Sequence, residues 1–134
     1  MINSRDINDL NPRVKKLAVA FLEKCKAAGM DVRIISTLRD GAYQNFLYAQ
    51  GRTKPGKIVT FARAGDSFHN HGLAFDFAVF KPDGKINWND LAAFRKARAI
   101  GIALGLEGLS FELAHLQYRG GKTLAQIKAG AKIV

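Results

Sequence analysis

The sequence predicts an α+β domain: a small antiparallel sheet with flanking helices. Three observations point there. Apolar residues recur at helical spacing behind capping residues. Leu73 to Phe80 alternates as a strand does. Turn letters such as Lys81-Pro-Asp-Gly84 reverse the chain directly after that alternation. The chain has 134 residues, which fits one domain over 1–134 with one core, and it shows no internal repeat or linker.

The elements follow in order. Asn11 is an N-cap and Pro12 the first helical residue. Val14, Leu17, Ala18, Phe21, Leu22, Cys25 and Ala28 form the apolar stripe, and Gly29 ends the helix. Val32 to Ser36 is expected as a strand. Asp40 caps a second helix with Tyr43, Phe46 and Leu47 on its inner face and Gly51 past its end. Arg52 to Asp66, with its Pro55-Gly56 turn, is expected as a long surface loop. In the next strand Leu73, Phe75, Phe77 and Val79 face a core, and Ala74, Asp76 and Ala78 face the other way. Asn89 or Asp90 caps a third helix with Leu91, Phe94, Ala97, Gly101 and Leu104 on one face. His115 and Gln117 share a face of a further short strand. Thr123 and Gln126 form a capping box for a short last helix.

Composition narrows the function classes. The single cysteine, Cys25, excludes an internal disulfide and any multi-cysteine metal site; its place on the first helical stripe predicts a buried thiol. No apolar run approaches the roughly 18 residues of a membrane span. The N-terminal residues lack the apolar stretch of a secretory signal, so synthesis in the cytoplasm is expected. Lys and Arg number 21 against 11 Asp and Glu, a net charge of +10 that favours polyanions such as nucleic acid, anionic envelope polymers or lipid headgroups.

The chemistry gathers in two segments. All three histidines lie in Ser67-Phe-His-Asn-His-Gly-Leu-Ala-Phe-Asp76 and Glu112-Leu-Ala-His115-Leu-Gln117. His69, Asp76 and His115 form the ligand set of a catalytic zinc site with a position left for water. Glu112, three residues before His115, is placed to move a proton. Antiparallel pairing of the two strands would bring Asp76 and His115 together. The alanines beside Asp76 would leave room for an ion and a substrate, and Gly72 would turn the chain between His69 and the strand. His71 is spare: it could replace His69, but is expected to flank the site or face solvent. The letters His-Asn-His also invite a nuclease reading, but in that class the named residues are dispersed over a ββα unit.

The pattern Ser67, His69, Gly72, Ala74, Asp76 resembles the motif Ser-x-His-x-x-Gly-x-Ala-x-Asp of the VanY-like peptidoglycan zinc peptidases, in particular the L-alanyl-D-glutamate endopeptidases. Asn8-Asp-Leu-Asn-Pro12, Ile34-Ile-Ser-Thr-Leu-Arg39, Gln44, Leu47-Tyr-Ala-Gln-Gly-Arg-Thr53, Pro55-Gly56 and Val59-Thr60 are similar too, so the likeness runs from about residue 7 to 118. The resemblance implies a hedgehog/D-Ala-D-Ala-peptidase-like fold and one Zn2+ per chain on His69, Asp76 and His115. It implies Glu112 as general base and Arg39 as stabiliser of the oxyanion or grip on a substrate carboxylate. Ser67, Gln44 and Gln117 are expected around the substrate. The implied partner is bacterial peptidoglycan, met by a monomer after release from the cytoplasm, for example with a holin. The basic surface would supply wall affinity in place of a separate wall-binding domain. A D-Ala-D-Ala carboxypeptidase, a fold that binds metal without catalysis, and a basic nucleic-acid-binding domain are the alternatives.

The sequence departs from the family near the last histidine. Where the family often has Asp-x-Pro-His-Phe, this chain has Glu112-Leu-Ala-His115-Leu, one methylene longer at the carboxylate. The family's Trp- and Gly-rich stretch is shortened to Gly105-Leu-Glu-Gly-Leu-Ser110, where Glu107 is a rival base.

Overall fold

The computed structural model describes residues 1–134. Its centre is a four-stranded sheet with every neighbouring pair antiparallel, in the order β1 (Asp31–Ser36), β2 (Ala74–Phe80), β4 (Glu112–Gln117), β3 (Glu107–Leu109). The helices are α1 (Pro12–Ala27), α2 (Gly41–Ala49), α3 (Leu91–Ala103) and α4 (Leu124–Lys128). The expected α+β architecture is present, and β3, which the sequence did not announce, completes the sheet within the shortened Gly105–Ser110 stretch.

The caps act as their letters imply. The Asn11 side chain accepts from the Arg13 N–H, and Pro12 supplies a first-turn residue with no N–H to satisfy. Val14, Leu17, Ala18, Phe21 and Cys25 are buried, while Ala28 is the exposed C-cap rather than part of the stripe. Phe21 meets Phe75 and Phe77 of β2 at ring-centre distances of 5.6 and 5.2 Å. Leu73 and Val79 join the same core, so the predicted inner face of the strand is the buried one. Burial pushes the Cys25 thiol up to about 11, as for a small hydrophobe.

On α3, capped by Asp90, the buried face is Phe94, Ala97 and Gly101. Gly101 is needed for close approach: a Cβ there would collide with Leu116 Cδ1 of β4. Leu91, at the helix start, is exposed.

Two expectations are corrected. The buried residue of α2 is Gln44, not the stripe of Tyr43, Phe46 and Leu47. The helix packs on the 52–66 loop, whose backbone carbonyls need donors, and Gln44 Nε2 donates to Ala62 O at 2.8 Å. Phe46 is exposed and carries the Lys54 ammonium 3.9 Å from its ring centre. The second correction concerns Ala74 and Ala78. Both are fully buried and neither lines the cleft that Asp76 lines, so the space beside the carboxylate is not provided by its alanine neighbours.

Candidate metal centre and its cleft

A short 3-10 turn, Phe68–His71, delivers the first histidine. The Ser67 hydroxyl accepts from the His69 N–H at 3.2 Å, and the Asn70 side chain accepts from the Ser67 N–H at 3.2 Å. This reciprocal cap satisfies the free donors at the turn's start. Gly72 closes it at φ +67°, where a Cβ would sit 3.2 Å from Asn11 N. Antiparallel register places Asp76 of β2 directly opposite His115 of β4.

These placements bring one ligand atom from each of His69, Asp76 and His115 within 4.8 Å of one another. Asp76 Oδ1 lies 3.2 Å from His69 Nε2 and 3.2 Å from His115 Nδ1. The far ring nitrogens are tied. His69 Nδ1 donates to the Thr37 carbonyl at 2.7 Å, and His115 Nε2 donates to Gln117 Oε1 at 2.8 Å. A carbonyl can only accept, so each outer bond fixes the tautomer that turns a lone pair inward.

The donor set fits zinc. Tetrahedral bonds of about 2.0–2.2 Å put neighbouring donors roughly 3.3–3.6 Å apart, close to the two Asp76 contacts. Two nitrogens and one carboxylate also leave a fourth position open.

Electrostatics agree with a cation site. Burial would push the Asp76 carboxyl up, but hydrogen bonds from His115 and His69, and their charge, hold it well below the usual carboxylate range. Burial would lower His115, yet its bond to Asp76, the Asp76 charge, the Gln117 acceptor and the Glu112 charge raise it. The pocket favours positive charge, which a proton supplies when no metal does.

Arg39 reaches the same carboxylate. Its Nη2 lies 3.1 Å from Asp76 Oδ2, so one carboxylate oxygen faces the histidines and the other is held by the guanidinium. The Arg39 N–H donates to the His69 carbonyl at 3.1 Å and its carbonyl accepts from Asn70 Nδ2 at 3.1 Å, strapping it to the histidine turn. Glu112 stands at the edge of the donor group. Its Oε2 is 3.5 Å from His115 Nδ1 and its side chain is 48% exposed. Glu107 is elsewhere, paired with Arg119 at 2.7 Å. His71 turns away, bonding the Gly65 carbonyl at 2.9 Å and lining a separate hollow beside the start of α1.

Of the residues expected around the substrate, Gln44 is buried outside the cleft, while Gln117 and Ser67 line it. Gln44 is 0% exposed and spends its amide on Ala62, Thr60 and Asn70, so it pins the 52–66 loop to the histidine turn. Gln117 is 2% exposed; it lines the cleft and holds His115 through its side-chain carbonyl. Ser67 lines the cleft, but its hydroxyl is engaged as the cap. Thr37 and Asn70 were missed. Asn70 had a visible signal, the Ser-x-x-Asn spacing of a cap; the Thr37 carbonyl had none, since any residue carries one.

The donors sit in a cleft of about 870 Å³ whose walls include Ile35, Val59, Phe61, Trp88, Phe111 and Leu113. A family model for VanY, D-alanyl-D-alanine carboxypeptidase, matches residues 7–120.

The chain belongs to the VanY family.

Within reach of that assignment is a curated relative, the peptidoglycan L-alanyl-D-glutamate endopeptidase CwlK of Bacillus subtilis (strain 168). It is 50% identical over 82 residues, 61% of this chain and 49% of that protein. The chain therefore aligns with about half the length of that relative. The VanY fold is also seen in the LdcB LD-carboxypeptidase, whose structure was described for the molecular basis of peptidoglycan recognition. The TM-score is 0.66 at 17% identity, over 90% of this chain and 64% of that one.

Proposed function

We propose that this chain is a zinc-dependent peptidase of the peptidoglycan stem peptide that cuts the L-alanyl–D-glutamate bond. The observation that carries the reading is the convergence of His69, Asp76 and His115 within 4.8 Å, with both outer ring nitrogens tied down. VanY membership and the identity with CwlK support the substrate class.

When held by these donors, zinc supplies a Lewis acid that polarises a carbonyl and makes water more acidic. The rest falls to the chain. Glu112 Oε2, beside the donors and open to solvent, takes a proton from the attacking water. The water oxygen bonds to the peptide carbon, the C–N bond breaks, and Glu112 returns the proton to the leaving amine. Arg39 holds Asp76 in place. Its remaining N–H groups have no other partner within the protein and are the donors assigned to charge growing on the carbonyl oxygen.

The family's description favours a second reading, removal of a terminal D-alanine. A carboxypeptidase requires a cation for the substrate's terminal carboxylate. The arginines lining the cleft are Arg39 and Arg119, paired with Asp76 and Glu107. Arg39 keeps N–H groups free, so these pairings do not separate the two readings; the 50% identity with CwlK over 82 residues favours the endopeptidase. The net charge of +10 supplies affinity for anionic wall polymers, and lysis from within the wall is the role proposed.

The test is turbidity loss of purified peptidoglycan with and without chelator, with products read by mass spectrometry. New N-terminal D-glutamate is expected and is lost on chelation. Glu112→Gln should keep zinc and lose at least about a hundredfold in rate. Release of free D-alanine would replace this reading with the carboxypeptidase, and zinc binding without hydrolysis would replace it with a metal-binding fold.

A further inference from the structure

Large apolar side chains left in water crowd around this one cleft. Ile58, Val59 and Phe61 stand on the 52–66 loop, Phe111 on the β3–β4 turn, and Trp88 before α3; all are exposed and all line the cleft. Phe61 is 86% exposed and Phe111 78%. Exposed apolar surface that adjoins a site marks where a ligand lies.

Trp88 differs from the other four in being fixed. One face of the indole is stacked on Phe94 at 5.8 Å and 12°, and Phe94 is buried and stacked in turn on Phe77. The neighbouring backbone is pinned on both sides: the Asn87 N–H donates to the Val79 carbonyl at 2.8 Å and the Asp90 N–H to the Asn87 carbonyl at 3.2 Å. The indole is 57% exposed, so it presents a flat surface that loses little freedom when covered.

The occupant must cover an aromatic face. The stem peptide offers alanine methyls and charged side chains, too small or too polar to do so. A pyranose ring offers a broad C–H face, weakly positive, against the negative face of the indole. Distance then ties the sugar to the bond being cut. The stem's first alanine is amide-linked to the muramyl lactyl group, so the L-alanyl–D-glutamate bond lies one residue from the sugar, about 3.6 Å of chain. A terminal D-alanyl bond lies four residues away, about 14 Å.

We propose that the cleft contains a sugar subsite in which the Trp88 indole is the platform for the glycan ring attached to the peptide being cut. The proposal rests on the peptidase reading for its substrate, but not for its readout. Trp88 is the only tryptophan in the chain, so emission excited selectively at tryptophan, beyond the absorption of the tyrosines, reports on it alone.

Zinc-loaded Glu112→Gln protein is titrated with N-acetylmuramyl-L-alanyl-D-isoglutamine and, separately, with L-alanyl-D-isoglutamine. The sugar-linked ligand is expected to change the emission and to bind about tenfold more tightly, the scale of one good aromatic contact. In the active protein, kcat/KM for the sugar-linked over the free peptide should be about tenfold. That ratio should fall toward one in Trp88→Ala and largely survive in Trp88→Phe, with circular dichroism and zinc content confirming the fold. Equal binding of the two ligands, or a ratio that Trp88→Ala leaves unmoved, overturns the subsite. So does an emission shift that tracks protein concentration without ligand, which would show a second copy on this face. A fluorescence response without hydrolysis of either peptide removes the peptidase reading and leaves the subsite. Equal hydrolysis with silent fluorescence does the reverse.

Discussion

Replacing Gln117 by leucine keeps the volume roughly constant and removes one acceptor. In the native protein Gln117 Oε1 lies 2.8 Å from His115 Nε2, and both residues are buried. Water cannot take the acceptor's place. A buried N–H left alone costs about 1–3 kcal/mol, which at 1.4 kcal/mol per tenfold spans roughly fivefold to 150-fold. The cost falls on the metal-loaded state, because a ring coordinated through Nδ1 cannot turn to find another acceptor. Losing the acceptor also lowers the His115 pKa, since Gln117 helps raise it. Fewer protons then compete for the ring, which acts the other way. The net expectation is therefore near the lower end, about a tenfold weaker zinc affinity, within the 10–100-fold typical of such partners. The assay is competition for zinc against a chromophoric chelator near neutral pH, with Gln117→Glu as the control that retains an acceptor. Affinity of Gln117→Leu within about twofold of wild type would refute the reasoning, as would a Gln117→Glu protein as weak as the leucine variant.

His69→Ala and His115→Ala are each expected to lose the metal by elemental analysis, whereas His71→Ala should keep one zinc per chain, because His71 bonds Gly65 away from the donors. Zinc loss in His71→Ala alone would reassign the ligand. The stripped protein should show a pH window of stability. Asp76 is lowered on folding, so its contribution is full above its unfolded value of 3.8 and lost as pH falls below it. His115 is raised, so its contribution is full below 6.5 and lost as pH rises through the folded value. Melting temperatures of chelator-treated protein should therefore fall between pH 6 and pH 8, and zinc should reverse the fall. An apoprotein more stable at pH 8 would contradict the Asp76–His115 pairing.

Much of the site was legible because it is local. The Gly72 turn and the alternation through Asp76 are written within one short segment, and period-two geometry puts Asp76 and His115 on one face of the sheet once their strands pair. The helix caps at Asn11, Asp40, Asp90 and Thr123 were legible for the same reason: each is a side chain bonding its own next few N–H groups. The inner face of α2 was not, because that helix rests on a loop whose exposed carbonyls call for a buried amide, and spacing alone cannot show what a helix rests on.

The sequence by itself determined the residue types of the candidate donor set, the strand that carries Asp76, the buried thiol and the α+β class, since these follow from residue chemistry and short-range periodicity. Only the tertiary structure decided which nitrogen of each histidine turns inward. That choice rests on two acceptors: the Thr37 carbonyl, just past β1, and the Gln117 side chain, two residues along β4 from His115. It also decided that Arg39 reaches Asp76 and that Trp88 stands in the cleft. Each of these depends on contacts between segments brought together by packing, where side-chain direction is set by the neighbour and not by the letter.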